Sequence, residues 1–296
     1  MRAGLITLLV LSSLLLGAEG LFYLMGTYAH MELPTRKELY RAYFIMRQVE
    51  KKLSSYIPDS DVSRINISAG KVWVEVSPIT ADIIKISIDI SEKTYGFFDI
   101  TYGAVSINHK RLKKLSYQEA KALVDFRKIK IKGRKVFLEK EGMALDLGGI
   151  GKGYAVELAY RKLGSEWGFI GIAGDMKTWG RERVLAIKDP LRGGSLLQVL
   201  ASGEICLSTS GNYHKRHIEQ KDNSLVQVTV AHRNCAYADG FATALLAMPR
   251  ALRRKFEKEN PHVGIVEIYR NGGIYINKAF RELFPFLIIK NDIESH

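Results

Sequence analysis

The sequence predicts an α+β protein, in which short strands come in runs and a few helices interrupt them. Five strand-like segments follow one another between residues 168 and 231 without a helical pattern between them. The regular alternation of strand and helix that is typical of a doubly wound parallel sheet is missing. The chain has 296 residues, of which 47% are hydrophobic and 25% charged, so it can bury the core of one large domain or of two small ones.

The first twenty residues have the features of a signal peptide. Arg2 precedes an apolar run at 5–16, which has the length of a signal-peptide core and is short for a membrane span. Ala18 and Gly20 place small side chains at the two positions that signal peptidase reads. We therefore expect a signal peptide at 1–20, a mature domain at 21–296 and an exported, periplasmic protein.

An uncleaved anchor is the alternative, because residues 21–24 lengthen the apolar run. The protein would then associate with the inner membrane through its N-terminus and face the periplasm. No cysteine follows the apolar run, so a lipoprotein is not expected.

The first half of the mature chain begins with a strand and continues mainly as helices. Residues 25–33 alternate between apolar and polar, as in a half-buried strand. Residues 37–56 place apolar side chains at steps of three and four, which predicts an amphipathic helix, and 59–66 are expected to form a loop. The other elements predicted here are helices at 79–94 and 116–125, the latter opened by a capping box of Ser116 and Glu119, and a hairpin with strands at 128–131 and 135–139.

The second half is richer in strands. A strand at 143–147 leads through a glycine-rich turn into a helix at 154–163. Further helices are expected at 239–248, which Pro249 ends, and at 251–259. The further predicted strands are 168–172, 183–187, 196–200, 204–208, 225–231, 264–269 and 273–276.

The glycine-rich turn has the composition of a phosphate-binding loop but fits neither common pattern. A P-loop needs Ser or Thr where this chain has Gly153, and a dinucleotide-binding turn needs glycine where this chain has Tyr154. A strand, a glycine turn and a helix N-terminus still suit an anion, because free N–H groups and the positive end of the helix dipole attract it. A tight turn without any ligand explains the glycines equally well.

Asp239 and Thr243 lie one helical turn apart and therefore on the same face of their helix. Carboxylate and hydroxyl oxygens are ligands that Mg²⁺ accepts when phosphate oxygens and waters complete its shell. The alternative is that Asp239 only caps the helix and Thr243 packs in the core.

The charge distribution and the two cysteines limit which binding partners and bonds we expect. The net charge is +13, but the positive residues are spread along the chain without the patterns of known nucleic-acid modules, so no nucleic-acid partner is expected. Cys206 and Cys235 fit either one disulfide in an oxidising compartment or two buried thiols, and their spacing does not indicate a metal site.

Seven segments form an ordered pattern that covers essentially the whole mature chain. The most specific of them is Ala144-Leu-Asp-Leu-Gly-Gly-Ile-Gly-Lys-Gly-Tyr-Ala155. The others are Met25-Gly-Thr-Tyr28, the helix end from Leu53 to Asn66, Phe98-Asp-Ile-Thr-Tyr-Gly103, Ala173-Gly-Asp175, Ser208-Thr-Ser-Gly211 and the helix of Asp239 and Thr243. Together they resemble the ApbE family of flavin transferases, which attach FMN from FAD to proteins. The segment at 144–155 is close to the most specific motif of the family, and the segment at 98–103 matches a family strand.

The resemblance implies two related β-α-β units with mainly antiparallel sheets and FAD between them. Mg²⁺ would lie beside the pyrophosphate, held by Asp239, Thr243 and the backbone carbonyl of Gly151, where relatives have alanine. Tyr56 would lie against the flavin. The full set of residues implied to contact FAD is Met25, Tyr56, Asp99, Lys152, Gly174, Asp175 and Ser210.

The chain departs from the family pattern after Ser210. Relatives carry a segment of the type His-Ile-Ile-Asp-Pro-x-Thr-Gly, whose histidine is implicated in catalysis. Here the Asp-Pro part is missing and the connection to the strand at 225–231 is shorter. His217 is the first candidate for that histidine and for the general base, and His214 is the second, although both could equally be surface histidines on a basic loop.

The family therefore implies Mg²⁺-dependent transfer of FMN from FAD to a Ser or Thr of a respiratory or extracytoplasmic redox protein, with release of AMP. Two alternatives stay open. Water could replace the acceptor hydroxyl, which would make the protein an FAD pyrophosphatase. The altered histidine segment could also have ended catalysis and left an FAD-binding protein.

Overall fold

A computed structural model of the chain describes residues 17–212 and 219–290. The described strands are β1 (Ala18–Leu24), β2 (Thr27–Leu33), β3 (Val74–Glu75), β4 (Ile129–Lys132), β5 (Lys135–Leu138), β6 (Gly168–Ile172), β7 (Asp175–Trp179), β8 (Arg183–Lys188), β9 (Ser195–Ala201), β10 (Ile205–Gly211), β11 (Leu225–His232), β12 (Gly264–Tyr269), β13 (Ile274–Ile276) and β14 (Leu287–Ile289). The described α-helices are α1 (Arg36–Leu53), α2 (Asp61–Ile67), α3 (Pro78–Lys93), α4 (Tyr117–Ala122), α5 (Gly151–Leu163), α6 (Cys235–Ala247), α7 (Arg250–Glu259) and α8 (Lys278–Leu283). There are also a π-helical segment, Ala104–Arg111, and a 3₁₀ turn, Phe126–Lys128.

Eight strands form a central sheet in the order β1-β2-β6-β7-β10-β11-β12-β13, and every pairing in it is antiparallel. Two three-stranded antiparallel sheets accompany it, in the orders β14-β9-β8 and β3-β5-β4. The predicted α+β class with mainly antiparallel sheets is therefore confirmed.

Separate hydrophobic cores lie on the two faces of the central sheet. On one face α5 packs between α1 and α6, and residues such as Met46, Tyr154 and Leu245 fill the larger core. On the other face β8 and β9 cover the sheet, and Leu197, Val199 and Phe280 belong to the smaller core. Strands β10 and β11 each contribute side chains to both cores, and this fixes their register.

Local side-chain hydrogen bonds begin several helices. Thr35, Ser60, Ser77 and Ser116 each accept a bond from a backbone N–H three residues later. The predicted capping box is confirmed, because the Glu119 carboxylate also accepts from the Ser116 N–H at 2.8 Å.

Two predicted elements are wrong. Residues 59–66 are not a loop, because Ser60 caps helix α2, and Val62 and Ile65 of that helix are buried. Residues 143–147 are not a strand and form only an isolated bridge between Ala144 and Tyr102. The side chain of Asn66 takes the place of a neighbouring strand there, since it donates to the Leu145 carbonyl at 3.0 Å and accepts from the Leu145 N–H at 2.7 Å.

Residues 98–103 match a family strand in sequence but are not a strand here, because they form turns that lead into the π-helical segment, and Tyr102 alone makes the isolated bridge. The Asp99 carboxylate explains the turn, since it accepts from the Thr101 N–H at 2.8 Å and the Phe126 N–H at 2.9 Å.

Strands β1, β3, β7 and β14 and helix α8 had no counterpart in the prediction. The predicted signal-peptide boundary at residue 20 falls inside β1, where Ala18 pairs with Leu33 and Gly20 pairs with Met31. Among the described helices, none has the length and apolar character needed to cross a bilayer.

Cys206 and Cys235 form a disulfide. It joins β10 to the first residue of α6, and both cysteines are buried. Of the two alternatives for these cysteines, the structure therefore has the disulfide.

Candidate active site

A cavity of about 970 Å³ opens at one end of the central sheet. The turn between β6 and β7, the ends of β8 and β10, the start of β11, the glycine turn before α5 and one face of α6 all contribute to its wall. The residues that line it include Gly148, Gly149, Lys152, Gly174, Ser210, Asp239 and Thr243. The motif at 144–155 and the Asp239–Thr243 pair, which are far apart in the sequence, therefore share one cavity.

A lysine and two carboxylates meet at this site. The Lys152 Nζ atom lies 2.8 Å from Asp175 Oδ2 and 3.5 Å from Asp239 Oδ2. Asp175 also accepts a hydrogen bond from the Ser208 hydroxyl. Both carboxylates are buried, whereas 27% of the Lys152 side chain is exposed. The predicted site residues Lys152, Asp175 and Asp239 are thus neighbours.

The pKa values reflect this crowding. Burial opposes the charge on Lys152, but Asp175 and Asp239 outweigh it and raise the pKa of its ammonium group. Burial, reinforced by the negative charge of Asp175, raises the pKa of Asp239, and Lys152 acts in the opposite direction. One ammonium between two carboxylates leaves the cluster one positive charge short when all three are ionised, so it favours a further cation.

Hydroxyl and carbonyl oxygens continue the site beside Asp239. Thr243 Oγ1 donates to the Gly149 carbonyl at 3.2 Å and lies 3.4 Å from Ser210 Oγ. Gly151, the predicted carbonyl ligand, begins α5 two residues after Gly149, and its role as a ligand stays a prediction. These are all hard oxygen donors, which fit Mg²⁺ when a phosphate supplies the remaining ligands.

Asp239 also caps helix α5. Its Oδ2 atom accepts from the Gly153 N–H at 3.0 Å, while Ile150, at the N-cap position, makes no side-chain cap. The helix N-terminus is therefore less free for an anion than the sequence indicates, because one of its donors already has a carboxylate. Asp239 does not cap its own helix, because Asn234 caps α6 and Asp239 lies inside it, and its role as a Mg²⁺ ligand stays a prediction.

The turn between β6 and β7 approaches β10 closely at Gly174. A Cβ atom there would lie 2.7 Å from the Thr209 carbonyl oxygen, so a side chain would force the two segments apart. The preceding residue, Ala173, has a φ of 52°. Glycine at position 174 thus allows the two backbone segments to approach closely in the cavity wall, which is compatible with its predicted contact with FAD.

Three other residues were predicted to contact FAD; one of them has an occupied side chain, and two lie outside the described cavity wall. Asp99 lines the cavity, but its carboxylate is occupied by the backbone bonds described above, and burial raises its pKa. Met25 lies in the β1–β2 turn, where its N–H donates to Glu50 at 2.9 Å. Tyr56 is 80% exposed beneath the Arg111 guanidinium, and neither Met25 nor Tyr56 belongs to the cavity wall formed by the described residues.

Sequence reasoning missed two groups in the wall. Asp146 accepts from Ser106 Oγ at 2.6 Å and from the Gly148 N–H at 2.9 Å, so it holds the glycine turn. The sequence contains a signal for this, since an Asp two residues before a glycine is typical of an Asx turn.

The second group surrounds Glu219, which accepts from the Tyr102 hydroxyl at 2.7 Å, the Tyr117 hydroxyl at 3.0 Å and Lys121 at 3.1 Å. Burial works against the charged carboxylate, but these bonds prevail and lower the pKa of Glu219 to about 2. These partners lie 98 to 117 positions away, so no local pattern predicts the group.

The candidate base His217 and its alternative His214 lie outside the described residues. Gly211 and Glu219, which are described, line the cavity. Within the ranges that the structure covers, no histidine belongs to the cavity wall.

The wall chemistry fits a flavin dinucleotide. Tyr95, Phe97, Phe98 and Tyr102 supply aromatic surface for a ring, and Lys152 and the glycine turn supply a place for phosphate. The carboxamide oxygen of Gln227 is buried in the wall without a hydrogen-bond partner, as expected where a ligand normally donates.

Comparison with known proteins identifies relatives. The family model described as the ApbE family matches residues 25–266. A FAD:protein FMN transferase of Vibrio cholerae serotype O1 is 26% identical in an alignment of length 280 that covers 82% of this chain and 82% of that protein. A FAD:protein FMN transferase of Buchnera aphidicola subsp. Schizaphis graminum is also 26% identical, over 76% of this chain and 78% of that protein.

Solved structures share the fold. The ApbE protein of Thermotoga maritima superposes with a TM-score of 0.79 at 22% identity, over 90% of this chain and 98% of that one. The apo form of the flavinyl transferase ApbE of Pseudomonas stutzeri gives a TM-score of 0.79 at 24% identity, over 90% and 96%. The fold expected from the sequence resemblance is thus confirmed.

Proposed function

Because the chain belongs to the ApbE family, we propose that it is a Mg²⁺-dependent FAD:protein FMN transferase, which attaches FMN from FAD to a Ser or Thr of an exported or membrane redox protein and releases AMP. Its curated relatives carry the name FAD:protein FMN transferase. The single observation that carries the proposal is the Lys152–Asp175–Asp239 cluster beside Thr243, inside a cavity with aromatic walls.

The proposed reaction is a substitution at phosphorus. The acceptor hydroxyl oxygen forms a bond to the FMN-side phosphorus of FAD, the bond from that phosphorus to the AMP oxygen breaks, and AMP leaves with the bonding electrons. The hydroxyl proton passes to a base, for which we propose His217. In the hydrolytic alternative, water supplies the attacking oxygen, and the products are FMN and AMP.

Residues of this chain bind and orient the pyrophosphate. Asp239, Thr243 and the Gly149 or Gly151 carbonyl would hold Mg²⁺, which when bound neutralises charge on the pyrophosphate and the leaving phosphate. Lys152 keeps its proton because two carboxylates face it, so it supplies a fixed positive charge at the cavity wall. Asp175 holds that ammonium in place and is itself held by Ser208.

As the acceptor we propose a redox protein outside the cytoplasm. The apolar N-terminal run at 5–16 and the family of the chain support this proposal. An uncleaved run would keep the enzyme at the inner membrane, next to membrane-bound acceptors.

One incubation tests the proposal. The protein is mixed with FAD, Mg²⁺ and candidate exported acceptors, AMP is quantified, and flavin fluorescence is sought on the acceptor after a denaturing gel. We expect AMP and fluorescent acceptor in equal amounts. AMP with free FMN alone would instead support hydrolysis, and FAD retention without AMP in the presence of a true acceptor would support a binding protein.

Variants connect the result to the site. Asp239→Ala should remove the Mg²⁺-dependent turnover, while the exposed Asp59→Ala should leave it unchanged. His217→Ala should lower the rate without loss of FAD binding, and His214→Ala serves as its matched control. Full activity of Asp239→Ala would contradict the metal site, and full activity of His217→Ala would move the base elsewhere.

A further inference from the structure

Gln227 is a fully buried amide in the wall of the cavity. It lies near the start of β11, opposite Gly211 on β10 and next to Ile268 on β12. A bulge between Leu225 and Gln227 interrupts the β11–β12 register just before it. Bulges beside functional sites commonly re-aim a side chain, and this one precedes the first residue of β11 that lines the cavity.

The orientation of the Gln227 amide follows from one contact. Its Nε2 atom donates to the Lys188 carbonyl at 3.2 Å. A carbonyl can only accept, so the nitrogen must face Lys188 and the oxygen must face away from it. That Oε1 atom is buried and has no hydrogen-bond partner among the described residues.

An unpaired buried acceptor is unusual and disfavours the folded state. The Thr209 and Thr229 hydroxyls bond to each other at 2.9 Å, and neither of them contacts Oε1. The rest of the wall near Gln227 is mainly apolar, with Met176, Ala186 and Ile187. A flat ring with one N–H at its edge would fill this part of the cavity and pair with Oε1.

We propose that Gln227 is a specificity-determining residue, whose carboxamide oxygen accepts a hydrogen bond from an N–H group at the edge of one of the rings of the bound dinucleotide. This inference rests on the proposed function. FAD carries two such donors, the imide N–H of the isoalloxazine and the exocyclic amine of adenine. Gln227 and Ser210 both line the cavity, and because successive residues of a strand face opposite sides of the sheet, the Gln227 amide lies on the side of β8 and the Ser210 hydroxyl on the side of α6.

The test measures dissociation constants of FAD, ADP and FMN, each with Mg²⁺, for the full chain and for Gln227→Met, which keeps length and removes both hydrogen-bonding atoms. FAD should bind about 10- to 100-fold more weakly to the variant. ADP alone should weaken in the same way if adenine is the donor, and FMN alone if the isoalloxazine is. The matched control is Thr229→Val, which removes a buried hydroxyl from the same face of β11 and should leave FAD affinity unchanged.

A ligand-side measurement keeps the inference testable if Gln227→Met does not fold. N3-methylated FMN and N6-dimethylated ADP lack the respective donor, and one of them should bind the unmodified protein about tenfold more weakly than its parent. Unchanged affinity of both methylated ligands would overturn the inference. Equal weakening of ADP and FMN by Gln227→Met would overturn it as well, since it would indicate general damage to the cavity.

Failure of the inference and failure of the proposed function are distinguishable. If the unmodified protein binds neither FAD nor ADP nor FMN, the proposed function fails. If it binds FAD tightly and transfers FMN, but Gln227→Met binds FAD equally well, only the role of Gln227 is contradicted.

Discussion

Gly153 sets the distance between the two helices that carry the site. A Cβ atom at Gly153 would lie 2.2 Å from the Cys235 carbonyl oxygen and 2.7 Å from Asp239 Cβ. Gly151, in the same helical turn, is different, because its Cβ would meet only the Met25 Cε atom at 3.6 Å. A small side chain is therefore tolerated at position 151, whereas the close packing of α5 against α6 requires glycine at position 153.

This contrast gives a matched pair of variants. Gly153→Ala should push α5 from α6, destabilise the protein by about 1–3 kcal/mol through overpacking and weaken Mg²⁺-dependent activity by displacing Asp239. Gly151→Ala should keep stability within about 0.5 kcal/mol, since the site has room and alanine favours helix. Urea unfolding and Mg²⁺ titration of activity measure both effects, and equal behaviour of the two variants would contradict the packing argument.

Helix α6 collects much of the chemistry of the molecule. Asn234 caps it by accepting from the Ala236 N–H at 2.9 Å, Cys235 ties it to β10, and Asp239 and Thr243 face the cavity. His232, just before the cap, packs against the rings of Tyr237 and Phe241. Conditions that disturb the start of this helix should therefore also disturb the site.

Low pH should disturb the start of α6 through His232. Burial, together with the positive charges of His262, Lys177 and Arg233, lowers the pKa of His232 to about 4, against about 6.5 in an unfolded chain. The unfolded chain therefore takes up the proton first, and folding stability falls as the pH drops from 6.5 to 4 and then levels off, by at most about 3 kcal/mol.

His232→Gln should remove this part of the pH dependence. Chemical unfolding at several pH values between 4 and 8 measures it, with the interval from pH 7.5 to 8 as an internal control, because this histidine is neutral there in both states. An identical slope for the variant and the unmodified protein between pH 4 and 6.5 would show that another group is responsible.

At the scale of the whole molecule, the central sheet separates two cores and the disulfide fastens one strand of it to the site. β10 carries Ser208 and Ser210 into the site, and its Cys206 is bonded to the first residue of α6. The two cysteines lie 29 positions apart in the sequence, and closing a loop of this length restricts the unfolded chain.

The disulfide should therefore support both stability and metal binding. The double variant Cys206→Ala/Cys235→Ala, which adds no polar group to the buried position, should lose about 2–4 kcal/mol of stability and need more Mg²⁺ for half-maximal activity. Unfolding and Mg²⁺ titrations check this, and protein refolded under reducing conditions should behave like the variant. A variant with unchanged Mg²⁺ dependence would restrict the disulfide to a purely stabilising role.

The sequence predicts those parts of the molecule whose signals are local. Helix spacing places Asp239 and Thr243 on one face, and the family resemblance of the segment around Lys152 indicates a nucleotide site, where the segment alone fits an anion site or a tight turn equally well. The sequence does not predict contacts between residues that lie far apart in the chain. Asn66 satisfies the backbone at Leu145 and so replaces a strand, Asp239 caps a helix 86 residues away, and Gln227 looks like any residue of a strand.

Strand β1 links the fate of the N-terminus to the folding of the hairpin. Removal of residues 1–20 would take the first three residues from an edge strand whose pairing with β2 begins at Ala18. A protease needs the bond after Gly20 as free, extended chain, whereas the tight turn at Met25 and Gly26 favours rapid closure of the hairpin around it. If residues 1–20 are a signal peptide, cleavage and strand pairing therefore compete for the same segment of the chain.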